Sequence, residues 1–179
     1  MLALRALARS YDEALVARPL LTKSVSSGIL VSASDACTQA LGPSTYDPSR
    51  TAVIGVGYGA LWFAPVMHGV TTMWARVLPS TALPTVAFKT GVDMAVAFPI
   101  NISACIGIQA LSRDASADVV GAVRTNLWPA LQAGWSVWPF ITASIYSGVV
   151  PLRYRVLAMN TCSFAWNVWL VSAFREVPR

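Results

Sequence analysis

Five apolar stretches, at residues 20–41, 52–75, 86–111, 127–150 and 156–174, take up most of this 179-residue chain. A helix rises 1.5 Å per residue and a bilayer's hydrocarbon core is about 30 Å thick, so about twenty residues cross it. The second, third and fourth stretches reach that length. The first carries Lys23, Asp35 and Gln39 inside its apolar run, and the fifth could either span or lie against its neighbours. The chain is 55% hydrophobic and only 12% charged, about half the charged share of a soluble protein. These features predict an all-α integral membrane helical bundle in which residues 1–179 form a single membrane domain. About four transmembrane helices are expected, five if the last stretch also crosses.

The breaks between stretches are made of turn chemistry. Residues 42–50, GPSTYDPSR, and residues 79–84, PSTALP, are rich in proline and small polar groups; residues 112–118, SRDASAD, add three charges. Such short polar links favour tight turns and set consecutive helices antiparallel. The opening MLALRALARSY has two arginines and no acid before Asp12. It predicts a short amphipathic helix over residues 1–19 lying at the membrane interface, a targeting helix being the other reading.

Several functions are disfavoured by what the chain lacks. The formal charge of +5 is spread out, with no basic run of three, which argues against a nucleic-acid partner. Arginines beside apolar spans instead suit lipid headgroups as partners. Cys37, Cys105 and Cys162 are isolated within apolar segments, so neither a metal site nor a disulfide framework is encoded. The lone His68 has no serine or cysteine at motif spacing, and no GxSxG, HExxH or phosphate-loop motif occurs. No catalytic residue, metal or cofactor is expected.

Two kinds of row run along the helices. Ser24, Gly28, Ser32, Ala36 and Ala40 form a ridge of small side chains, and Gly55 and Gly59 answer it with GxxxG spacing. In lipid, such ridges let helix backbones approach closely. Beside the first ridge lie Lys23, Ser27, Val31, Asp35 and Gln39; the third stretch repeats the idea with Lys89, Asp93, Ala97 and Asn101. An aspartate at the bilayer centre costs about 2.5–3.5 kcal/mol on insertion scales, several times what one leucine returns. Asp35 and Asp93 must therefore face protein or water. They either lock the helices in register through hydrogen bonds or line a narrow hydrated path, and the spacing alone leaves both readings open.

The segment WSVWPFITASIYSGVVPLRYR, residues 135–155, has an aromatic start and a basic end. Trp135 and Trp138 suit an interfacial belt, with Trp128 on the face of Trp135. Pro139 should bend its helix without ending it, Pro151 should introduce the next helix, and Arg153 and Arg155 should reach headgroups or a carboxylate.

Residues 18–39, RPLLTKSVSSGILVSASDACTQ, resemble the opening motif of the Mpv-seventeen family, which includes the twenty-two-kilodalton peroxisomal membrane protein. The resemblance continues through Pro65 and His68, Lys89, Asp93 and Pro99, then Trp135, Trp138 and Pro139, and closes with Pro151, Arg155 and the run Trp166 to Leu170. The chain departs from that pattern at Ser34, at Met94, in a Trp-Tyr pair displaced toward Trp74, and at Thr142 and Ile145-Tyr146, where the family has other polar groups. The resemblance implies an integral protein of the inner mitochondrial membrane or, alternatively, the peroxisomal membrane, with no cofactor. It further implies a small, weakly selective channel linked to mitochondrial homeostasis and reactive-oxygen handling, with Asp35, Gln39, Lys89, Asp93 and Arg155 as path-lining candidates. The alternative is a structural or accessory subunit of a larger inner-membrane complex. Expected partners are membrane lipids and other membrane proteins, as a homo-oligomer or within such a complex.

Overall fold

The computed structural model describes residues 2–42 and 45–174, and among these there is no strand. Helix α1 (Leu2–Ala17) leads through Arg18 into α2 (Pro19–Leu41), which starts on a proline whose missing N–H is no loss in a first turn. Helices α3 (Pro48–Val77) and α4 (Leu83–Arg113) follow, and both are long and apolar enough to cross a membrane. Then come α5 (Val119–Trp135), α6 (Trp138–Tyr146), a single 3-10 turn (Leu152–Tyr154) and α7 (Arg155–Phe174).

Helix α2 is the centre of the packing, with α3 on one side and α7 on the other. The carboxy-terminal half of α4 packs against α5 and its amino-terminal half against α6. Two hydrogen bonds fix the register of α7 on α2: Ser27 to Asn160 and Asn167 to Ser34, each pair 133 residues apart. A constant offset over two helical turns means that α7 runs parallel to α2.

The distribution of side chains is inverted relative to a water-soluble fold. Among the described residues, thirteen polar or charged side chains are buried against twelve apolar ones. Leu61, Leu83, Phe88, Val96, Ile100 and Phe140, by contrast, point outward. Lipid is the solvent in which that arrangement is stable, because it rewards outward apolar groups and drives polar ones to find partners inside. A compact apolar core remains, built on Phe63, Met67, Trp74, Ile145, Tyr146 and Met159 from α3, α6 and α7.

Two segments inside the long helices adopt π-helical geometry, Ile54–Phe63 in α3 and Asp93–Ala97 in α4. Each ends two residues before a proline, Pro65 and Pro99. A proline cannot donate to the carbonyl four residues back and its ring crowds that carbonyl; a wider turn relieves both.

One expectation fails. The fourth apolar stretch, 127–150, is not a single bent helix: it is split at Ser136 and Val137 into α5 and α6. Pro139 therefore starts a helix instead of bending one, at a first-turn position where its missing N–H costs nothing. The proline inside α5 is Pro129. The Ser136 hydroxyl closes the end of α5 by donating to the Ala133 carbonyl at 2.7 Å.

The ridge of small residues meets its answering glycines. A Cβ built on Gly59 would lie 2.9 Å from the Ser27 carbonyl oxygen and 3.1 Å from Gly28 Cα, both immovable backbone atoms. At Gly28 it would come within 3.3 Å of Ala60 Cβ, and at Gly55 it would run into Ser32. Ala36 lies on the same ridge and is half-buried. Gly59→Ala should therefore force α2 and α3 apart and cost about 1–3 kcal/mol. Gly69→Ala, where a Cβ meets nothing within 4 Å, should be neutral or slightly stabilising; detergent-solubilised thermal unfolding of the two variants checks the contrast.

Candidate functional site

The polar residues of α2 and α4 divide into four clusters. The first closes the hairpin between α2 and α3. Asp35 forms an ion pair with Arg50 at 3.0 Å, with side-chain exposures of 6% and 23%. Thr51 Oγ1 and Gln39 Nε2 each donate to Asp35 Oδ2 at 2.6 Å. Gln39 also receives the backbone N–H of Asp47 at 2.8 Å. Asp47 in turn caps α3, its Oδ1 accepting from the Ser49 hydroxyl and from the backbone N–H groups of Ser49 and Arg50. The turn thus delivers Arg50 to the one carboxylate of α2, four residues before Gln39 on the same face.

The second cluster surrounds Asp93. Trp74 Nε1 donates to its Oδ1 at 2.8 Å, and the fully buried Tyr146 hydroxyl donates to Oδ2. No cation stands within ion-pair distance of Asp93 among the described residues. Lys89 and Arg155 instead lie over the Tyr146 ring, at 6.0 and 5.5 Å from its centroid. Lys89 Nζ donates to the Ser80 carbonyl at 2.9 Å, and Arg155 Nε donates to the Val150 carbonyl at 3.4 Å. The expectation that Arg155 reaches a headgroup or a carboxylate therefore gives way to a ring and a carbonyl. It is Arg153 that pairs with a carboxylate, Asp12, at 3.3 Å.

In the third cluster Lys23, also buried, donates to His68 Nδ1 at 2.9 Å. His68 is half-buried and is held by a lysine of α2. The fourth is centred on Asn101, whose Oδ1 accepts from Trp62 Nε1 at 3.2 Å and whose Nδ2 donates to the Ala97 carbonyl at 2.8 Å.

Between these clusters lies a cavity of about 370 Å³, walled by α2, α3, α4, α6 and α7. Asp35 pairs with Arg50 and Asp93 with Trp74, near opposite ends of α3, so the two carboxylates stand at opposite ends of the cavity lining, which also holds Asn101, Thr142 and Asn160. Both π-helical segments contribute to its wall, through Ile54, Tyr58 and Phe63 and through Asp93, Met94 and Ala97. Of the sequence's polar candidates, Asp35, Asp93 and Asn101 reach this space; Lys23, Gln39, Lys89 and Arg155 do not line it. Arg50, Thr142, Asn160 and Asn167 line it without having been singled out for it. The polar spacing along α7, Asn160 and Asn167 seven apart, was the available signal.

The tryptophans also divide. Trp135 and Trp128 meet edge to face at 5.8 Å on the outer surface of α5. Trp138 turns inward against Phe98 at 6.2 Å and lines the cavity, because the break before α6 redirects it from the interfacial position expected. Pro151 precedes the 3-10 turn that leads into α7.

Comparison with known proteins bears on the same residues. The Mpv17 / PMP22 family pattern matches residues 109–171, from the end of α4 through most of α7. Protein sym-1 of Neurospora crassa is 34% identical over 170 residues, covering 89% of this chain and 94% of its own. The chain belongs to the Mpv17 / PMP22 family. It is also similar to protein SYM1 of Yarrowia lipolytica, 36% identical over 70% of this chain and 58% of that protein. Protein SYM1 of Saccharomyces cerevisiae is 29% identical over 89% of this chain and 86% of its own. No solved structure matches. A helical membrane protein of this family is what the fold and the relatives together describe.

Arg50→Ala leaves Asp35 buried without its cation and should cost about 3 kcal/mol, with most of the loss recovered by adding Asp35→Asn. Arg153→Ala removes an exposed pair and should cost at most about 1 kcal/mol; chemical denaturation in detergent separates the two. The Asp47 carboxyl lies below its ordinary range, chiefly through the Ser49 hydroxyl and then the N–H of Arg50. Its capping contribution is therefore present above the ordinary aspartate range and lost as pH falls through the lowered value. Asp47→Asn should flatten that acid limb in a pH series of unfolding midpoints.

Proposed function

We propose that this chain forms a small, weakly selective pore for small solutes in an organelle membrane, with the central cavity as the middle of its path. The observation that carries this reading is the convergence of Asp35, Asp93, Asn101 and Asn160 from three helices on one space inside an apolar-faced bundle. Ionisable groups at membrane depth are expensive, and function is the usual reason for keeping them. Asp35 is held by a cation and two hydrogen bonds and acts as the structural end of the path. Asp93 has only neutral donors and is the charge a passing solute meets. Passage, not catalysis, is the proposed activity, and through it a part in mitochondrial homeostasis and reactive-oxygen handling. The mitochondrial inner membrane is the proposed location, supported by the arginine-bearing, acid-poor start of α1; the peroxisomal membrane is the alternative. Imaging a tagged copy against markers of both organelles decides between them.

In planar bilayers the purified chain should conduct, with cations preferred over anions. Asp93→Asn keeps the acceptor for Trp74 and removes the charge, so the reversal potential in a salt gradient should move toward zero. Absence of current, or an unchanged reversal potential, would refute the path. The exposed Trp128 and Trp135 on α5 favour a second reading, an accessory subunit docked in a larger membrane assembly. Lone migration at 19.1 kDa plus its detergent on native gels would count against that reading.

A further inference from the structure

Asn160 on α7 is 3% exposed and lines the central cavity. Ser27 donates to its Oδ1 at 3.2 Å, which fixes the amide. Its Nδ2 is buried and has no hydrogen-bond partner among the described residues. A second donor on the same cavity, Arg50 Nε, is also buried without a partner, the Arg50–Asp35 ion pair running through Nη2. Buried amide and guanidinium donors are almost always satisfied, so unfilled ones on two residues that line one cavity point to something that fills it. The lining is largely apolar, with Phe63, Phe98, Trp138 and Phe164 among the walls. The π-helical segments of α3 and α4 flank the same space, and such segments recur at functional sites.

We propose that the central cavity is a binding site for a compact, largely apolar, aromatic molecule carrying a carbonyl-type acceptor oxygen, which Asn160 Nδ2 engages. The volume of about 370 Å³ lies at the lower end of the range for small-molecule sites. Such sites combine an apolar wall with a few placed polar groups, as here. A carboxylate is disfavoured, because Asp93 lines the same space and has only neutral donors. An acceptor without charge meets Asn160 and no repulsion. The site rests on the cavity alone and not on conduction through it; an occupant would lie across the proposed path.

Benzophenone tests the site, because it has this chemistry and labels its surroundings under light. In the detergent-solubilised full-length protein it should label peptides from α7 and the middle of α4, and the labelling should saturate. On wild type, acetophenone should compete at least about tenfold better than ethylbenzene, which has the same bulk without the oxygen. Asn160→Leu should remove that discrimination while leaving ethylbenzene competition in place. Equal competition by the two molecules on wild type would overturn the proposal, as would labelling confined to outward-facing residues such as Phe140 or Leu61. Should Asn160→Leu fail to fold, the wild-type competition decides alone. Binding is read here without any current, so a silent bilayer and an empty site are separate results.

Discussion

The one carboxylate of α2, six residues before the helix ends, is the constraint that organises this molecule. Asp35 cannot face lipid, and α2 itself offers it only Gln39. Its cation has to come from the next helix, which must start so that Arg50 stands level with it. Asp47 does this by capping α3 so that Arg50 and Thr51 fall in the first turn, facing back toward α2. Once that end is fixed, the small ridge on α2 and the glycines of α3 come into contact along the rest of the hairpin. Close packing and charge neutralisation thus reinforce one register, and α7 then reads the same register through Ser27 and Ser34.

The cavity has a related origin. Tight packing at Gly55 and Gly59 draws α2 and α3 together, while other residues of the two π-helical segments, Ile54, Tyr58 and Phe63 in α3 and Asp93, Met94 and Ala97 in α4, line the cavity. Polar groups already buried for register then find themselves on its surface. The break between α5 and α6 completes the wall by turning Trp138 and Thr142 inward.

Much of this was legible in the chain. The long apolar stretches gave α2, α3 and α4 close to their observed ends, because period and length are dictated by the solvent. The rows through Asp35 and Asp93 identified the buried carboxylates, since charge at membrane depth has few alternatives. The partners were not legible. Arg50 looked like a loop residue, and the departures at Thr142 and Tyr146 looked like lost polar groups. In the fold, Tyr146 supplies a hydroxyl to Asp93 and Thr142 faces the cavity. A helical row states which face is polar but not how neighbouring helices are rotated against it, so Lys23, Gln39 and Lys89 shared the pattern of the cavity-lining residues and ended elsewhere. Pro139 failed for a local reason: a proline can bend a helix or begin one, and only the packing of α6 on α4 decides.

The two aspartates that looked equivalent in sequence are therefore different in kind. Asp35 has a guanidinium, a hydroxyl and an amide, so its charge is spent inside the protein. Asp93 has an indole and a phenol, while the nearest cations are turned onto the face of the phenol ring. A ring between two cations can polarise the hydroxyl that Asp93 accepts, yet it neutralises nothing. The negative end of the cavity is thus left electrically open at Asp93 and closed at Asp35. That asymmetry is the feature on which the proposed path rests.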